Sequence, residues 1–303
     1  MKMNKQTAIR QSTGERIFQV INTLFMAFLM LITIYPLLYV LFASFSEPVQ
    51  LKANYGLLWR PLGFTTVGYE AVMSTDSIWR GFRNTVFYVI LGTSISMLLT
   101  MMGGYAMSRK TMLRSPLMIF FTIPMFFGGG MIPTYLLVKS LKITNTIWAM
   151  VIPGAISIYN MIVMRTSFQS IPNELFESAY LDGANEWTIL FRIVVPVSMA
   201  MLATITLFYA VGYWESWYPA LVYLTSRRDL YPLQMFLREI LIREDFTDSA
   251  YLFTLMQTDP EVVMRKEVIK YATIVVSTVP ILIVYPFLQR YFVKGVMIGS
   301  LKG

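Results

Sequence analysis

The sequence predicts an all-α integral membrane protein, a six-transmembrane-helix bundle forming one domain over residues 1–303. Three observations carry this. The chain is 56% hydrophobic and only 14% charged, whereas a soluble domain carries roughly a quarter charged residues. Its charges punctuate long uncharged runs, of a length suited to a bilayer core that needs about 20 apolar residues. If six runs cross, the N-terminal segment, the 109–114 loop and the C-terminal tail fall on one face, as the positive-inside rule requires, with the Lys139/Lys142 pair a small exception.

The runs justify themselves in order. Residues 1–16 are polar, with Lys2, Lys5, Arg10 and Arg16 against Glu15. Ile17–Ser46 follows without a charge. It exceeds the roughly 7–15 residues of a signal-peptide core, so a retained first helix is expected, with the N-terminus inside. A mixed segment, 47–82, contains Pro48, Gly56, Pro61 and Gly63 and is expected outside. The second run is Asn84–Ser108, followed by a basic loop with Arg109, Lys110 and Arg114. The third, Ser115–Val138, is interrupted by Pro124 and by Gly128-Gly129-Gly130. That triplet is either a helix break or a flexible gate; no lysine follows it to complete a phosphate loop. Lys139 and Lys142 precede the fourth run, Ile143–Met164, which holds Pro153. The fifth is Ile193–Leu224, the sixth Tyr271–Gln289, and residues 290–303 form a basic tail with Arg290, Lys294 and Lys302. Arg83 and Arg165 lie at run ends, where long side chains snorkel to the interface.

Six crossings place residues 1–16, the 109–114 loop and the 290–303 tail together, hence in the cytoplasm. Residues 225–270 then lie outside, with seven basic side chains nearly balanced by eight acidic ones. The formal charge of +8 is explained by this topology rather than by a nucleic-acid footprint. Cysteine and histidine are both absent. That removes disulfides, thiolate nucleophiles and sulfur-ligated metals, and with them the commonest metal ligand and general base. No G-x-x-x-x-G-K-[ST] occurs, so the chain holds no P-loop of its own.

One mixed polar and apolar segment, Ile171–Pro196, is placed in the cytoplasm by the same topology. Its chemistry predicts two short helices about a sharp corner. Asn173 is placed to cap the first, Gly183 to end it in a left-handed conformation, and Asn185 to cap a second that runs through Trp187 and Leu190 to Pro196. By itself this describes a helical connector between two spans. Glu177-Ser178-Ala179, then Gly183, then Ile193-Val194-Val195-Pro196 resembles the EAA signature of ABC importer permeases, in which E-A-A, three residues, G and nine residues precede I-x-L-P. Ser178 and Val195 depart from it mildly.

The resemblance extends over residues 15–303. Gln289–Gly295 with Gly299, Ser300, Lys302 and Gly303 is similar to the tail of carbohydrate importer permeases of the maltose type. Phe126–Lys139 and Tyr231–Leu241 are similar to the LplC-like branch, which includes importers of complex or acidic oligosaccharides such as alginate. The resemblance implies a type I ABC importer permease fold in a bacterial inner membrane. It implies four kinds of contact: a second, different permease subunit; two ATPase subunits, which would bind ATP and Mg; an extracytoplasmic solute-binding protein, reached through the 225–270 loop; and the sugar. It makes residues 171–195 the cytoplasmic coupling loop. Glu177, Ser178, Ala179, Asp182, Gly183, Ile193 and Pro196 are its expected ATPase-coupling residues, with Glu177 paired to a base on the ATPase.

Fewer residues suggest a substrate path. Tyr209, Tyr213 and Trp217 recur at i, i+4 and i+8, one helical stripe, with Trp214 beside them. Aromatics form interfacial belts and equally offer apolar faces with polar tips to sugar rings. Asn160 is either interhelical glue or a ligand contact. Glu215, the one acid within a run, would serve an ion-coupled carrier, the alternative to an ATP-driven importer. A membrane enzyme would need converging acids, and only Glu174, Glu177, Asp182 and Glu186 are dense enough to supply them. No catalytic or metal-ligating residue is expected.

Overall fold

A computed structural model describes residues 12–109, 114–243, 265–283 and 286; the expected contributions of residues 1–11, 244–264 and 290–303 lie outside them. Helices account for all the regular structure among these residues, apart from one isolated bridge between Ser46 and Phe64. Helix α1 spans Thr13–Ser44 and starts earlier than the first apolar run, because Ser12 and Glu15 form a reciprocal capping box. It passes Pro36 without ending. Helices α2 (Pro48–Ala53) and α3 (Val67–Met73) follow, then α4 (Asp76–Ser108). The onset at Asp76 takes in the end of the mixed 47–82 segment, and Arg83 sits exposed within the helix.

The third, fourth and fifth apolar runs are helical but broken. The third comprises α5 (Arg114–Phe126) and α6 (Met131–Ser140), bent by 116° where Gly130 adopts φ +81°. The fourth is not one helix: α7 (Ile147–Val151) stops before Pro153, and Ser157 caps a new helix, α8 (Ile158–Gln169), accepting from the Asn160 N–H. After the corner, α9 (Asn173–Leu181), α10 (Glu186–Ile189), a π-helical turn at Leu190–Val194 and α11 (Val195–Val197) lead to α12 (Met199–Trp214), with an 89° bend at the junction. Helix α13 (Trp217–Tyr223) is separate. A 3₁₀ turn at Arg228–Leu230 and α14 (Leu233–Arg238) come next, and α15 covers 265–283. Among the described residues, α1 and α4 are each long and apolar enough to cross a membrane, and counting each bent pair as one span raises the number to four.

The chain divides into two compact units, Met1–Glu70 with Glu261–Val275 and Ala71–Pro260 with Val276–Gly303. In the first, Ala43, Leu51, Leu58 and Val268 form a small core beside Tyr39 and Tyr271. The second is organised around α4. Its buried stripe carries Gly81, Thr85, Gly92, Ser96, Thr100 and Gly104, and such small residues let neighbouring backbones approach closely. Helices α8, α12 and α14 pack against it. A Cβ on Gly92 would stand 2.5–2.7 Å from the Tyr213 ring, and one on Gly81 would stand 2.7 Å from Phe236. Residues 231–238, expected in a solvated loop, are therefore partly core: Leu233, Met235 and Phe236 are buried, and the Leu233 N–H donates to Thr85 Oγ1 at 2.8 Å. Near-balanced charge concealed this short apolar helix.

Candidate functional site

The corner begins at Pro172. It occupies the flanking position of α9 with φ −56° and ψ 137°, and no side-chain cap bond forms there. Asn173 is already helical, so it does not cap α9 as the sequence suggested. Phe176 and Ala179 point inward, joining a core with Met164, Phe168, Ile189 and Leu190. The opposite face holds Glu174, Leu175, Glu177, Ser178 and Leu181, all exposed. The contrast along one helix is sharp: Ala179 is 5% exposed and Leu181 89%. Ala179 thus seats the helix against the core.

Gly183 ends α9 as expected, with φ +75°. Its N–H donates to Tyr180 O at 3.0 Å and the Ala184 N–H to Ala179 O at 2.9 Å, the paired bonds of a Schellman motif. A Cβ there would meet nothing within 4 Å, so the glycine is required by its backbone angle alone. Asn185 caps α10, accepting from the Thr188 N–H at 2.8 Å. Beyond it, Pro196 offers no N–H and crowds the carbonyl four residues back. The backbone widens: the Val195 N–H reaches Leu190 O, giving the π turn. Ile193 is half-buried against the core and Pro196 exposed.

Glu186, one of four acids noted in the loop, has a role its spacing did not reveal. Its Oε1 accepts from Tyr180 Oη at 2.7 Å and its Oε2 accepts a short bond from Tyr105 Oη at the end of α4. Arg109 lies 3.9 Å over the Phe176 ring and donates to Tyr180 Oη at 3.4 Å. Burial pushes the Glu186 carboxyl up, but the two tyrosine hydrogen bonds and Arg109 outweigh it and hold the carboxyl below its ordinary value. A lowered carboxylate pKa means this contribution is complete above the usual carboxylate range and is lost only as pH falls through the lowered value. Burial and the bond to Glu186 raise Tyr180. A cavity of about 490 Å³ opens beside this group, lined in part by Arg109, Arg114, Asn173 and Glu186. Arg165, expected to snorkel, instead donates from Nε to Met107 O at 3.1 Å.

A second cavity, also about 490 Å³, brings together Ser157, Asn160, Tyr209, Tyr213 and Ser216. Tyr209 Oη pairs with Thr100 Oγ1 at 2.7 Å and accepts from the Ser157 N–H at 3.0 Å. Tyr213 Oη donates to Val151 O at 3.3 Å and pairs with Ser96 Oγ at 3.0 Å. Ser216 is buried and its Oγ has no partner. Three of the sequence-selected residues, Asn160, Tyr209 and Tyr213, therefore share one wall. Trp214, Glu215 and Trp217 are not among its lining residues. Trp217 is off the stripe because α12 ends at Trp214 and the chain turns through Glu215 and Ser216. Glu215 is exposed at that turn.

Residues 101–298 match the family model described as binding-protein-dependent transport system inner membrane component. The chain belongs to this family. It is 38% identical to the polygalacturonan/rhamnogalacturonan transport system permease protein YtcP of Bacillus subtilis, covering 95% of this chain and 99% of that one. It is 39% identical to protein LplC of the same organism, over 95% and 96% of the two chains. A chain in the crystal structure of a bacterial ABC transporter that imports the acidic polysaccharide alginate aligns with TM-score 0.86 and 29% identity, covering 94% of this chain and 100% of that chain. This is a multi-pass inner-membrane transport subunit, not a nucleotide-binding enzyme. Such a permease works with a second permease, an ATPase and a solute-binding protein. The ion-coupled alternative built on Glu215 finds no support in these relatives.

Proposed function

We propose that this chain is one half of the translocation path of an ATP-driven oligosaccharide importer, with residues 171–195 as its coupling loop. The observation that carries this is the corner: a helix pair set by Gly183 and Asn185, presenting Glu174, Glu177, Ser178, Leu181 and Asp182 to solvent. Exposed Leu175, Leu181 and Trp187 supply apolar contact area, and the acids around them suit a basic rim on an ATPase. Glu177 is the residue proposed to meet a base there. ATP and Mg sit on two partner ATPases, whose closure draws the coupling loops together. The bundle then shifts between packings, a population biased by the partner's nucleotide state. Both termini and the corner face the cytoplasm, and residues 225–270 face the binding protein.

The proposed substrate is a plant or algal oligosaccharide, acidic ones included, in keeping with the names borne by the relatives. The Ser157, Asn160, Tyr209, Tyr213 and Ser216 wall supports this chemistry, since ring faces beside the Asn160 amide and the unpartnered Ser216 hydroxyl suit sugars. Two experiments test the reading. Gentle purification from native membranes should bring a P-loop ATPase and a different permease. Proteoliposomes of that complex with its binding protein should take up sugars from a mixture of pectin, alginate and arabinan oligosaccharides when ATP is present and every ion gradient collapsed. Uptake by the chain alone, abolished by an uncoupler, would overturn it.

A further inference from the structure

The outward face of α9 is where a partner would press, but the connection from that helix to the membrane core is made elsewhere. One carboxylate reaches three elements. Glu186 opens α10, accepts from Tyr180 on α9, and accepts from Tyr105 in the last turn of α4. Arg109, one residue past α4, closes the circuit through Phe176 and Tyr180. Tyr105 is buried, whereas Tyr180 and Glu186 are exposed. Exposed polar contacts add little to stability; what they fix here is geometry. Without them, α9 and α10 are joined by the Gly183–Asn185 link and by the apolar packing of Phe176 and Ala179 with Ile189 and Leu190, with no polar contact to fix the angle between them.

We infer that Glu186 is a positioning residue, clasping both limbs of the corner to α4 so that movement of α9 is delivered to the central helix instead of being taken up in the glycine turn. This rests on the importer reading above. Helix α4 is the element against which α8, α12 and α14 pack, so a push at its cytoplasmic end reaches the wall that carries Tyr209 and Tyr213. Tyr105 and Tyr180 act with Glu186 as its two donors, and Arg109 holds Tyr180 in place.

The test uses the whole complex in proteoliposomes, with its binding protein and the same oligosaccharide mixture, reading uptake and ATP hydrolysis together. Glu186→Ala should lower sugar moved per ATP by at least about tenfold, the scale of losing one of its two charge-assisted hydrogen bonds. Complex yield, melting temperature and ATP hydrolysis should stay near wild type. Tyr180→Phe, at an exposed position, should give a smaller fall of the same kind, and Glu186→Gln, which keeps an acceptor, should restore part of it. Tyr105→Phe should add nothing to Glu186→Ala. Unchanged sugar per ATP in Glu186→Ala and Tyr180→Phe would overturn the clasp, as would a fall that only follows lost complex. A wild-type complex that hydrolyses ATP without moving sugar would instead overturn the importer reading.

Discussion

The corner at 171–197 and the tyrosine wall on α12 are built by opposite means. Local chemistry sets the corner. Gly183 takes φ +75°, Asn185 caps the next helix and Pro196 forces a π turn, each acting within a few residues. Long-range pairing sets the wall. Tyr209 and Tyr213 meet Thr100 and Ser96, which lie 109 and 117 residues away. The corner leaves its polar and apolar groups open to solvent, whereas the wall uses its hydroxyls to hold helices together. The proposed docking surface is thus specified by its backbone, and the proposed path wall by its packing. Damage to the first should cost transport first, with local strain only; damage to the second should cost stability first.

Substitutions sharpen or break that distinction. The largest effect is expected for Gly183→Val, because a β-branched residue must adopt the left-handed region, at about 1–2 kcal/mol or more. Uptake by membrane vesicles should disappear while the amount of inserted chain is unchanged. Glu177→Lys should come next. Reversing an exposed charge should strip the ATPase from the purified complex, with thermal stability within about 0.5 kcal/mol of wild type. Gly92→Leu belongs to the other region. Its side chain enters space held by the Tyr213 ring, and overpacking of about 1–3 kcal/mol should lower the melting temperature, with uptake falling only as folded protein is lost. Tyr209→Phe should have the smallest effect. It removes the bonds to Thr100 and Ser157, each worth about 0.6 kcal/mol inside a membrane protein, a difference readable in a denaturation series. A Gly92→Leu complex that is stable but uncoupled would erase the distinction between the two regions.

The same contrast explains what the sequence revealed. Gly183 and Asn185 were legible because glycine and asparagine have specific backbone uses at fixed offsets from apolar residues. Asn173 misled because Pro172 takes the flanking position first. The helical stripe held for Tyr209 and Tyr213 and failed at Trp217, since periodicity carries no sign of the turn at Glu215 and Ser216. Apolar runs identified the helices, but not the 116° and 89° bends within them, which depend on what each half packs against. The clasp was hidden for a related reason. Glu186 reads as one of four acids in the loop until Tyr105, 81 residues earlier, is brought beside it.

In the proposed coupling, the Gly183 backbone angle holds the corner in the geometry that receives the partner's nucleotide state. This claim is tested most directly by reconstituting wild type, Gly183→Val and Gly183→Asn with the same partners, and measuring sugar uptake against ATP hydrolysis. Asparagine tolerates the left-handed region, so Gly183→Asn should keep most of the uptake, while Gly183→Val hydrolyses ATP or loses its ATPase and moves no sugar. Equal uptake by Gly183→Val and wild type, in complexes of equal composition, would contradict the claim.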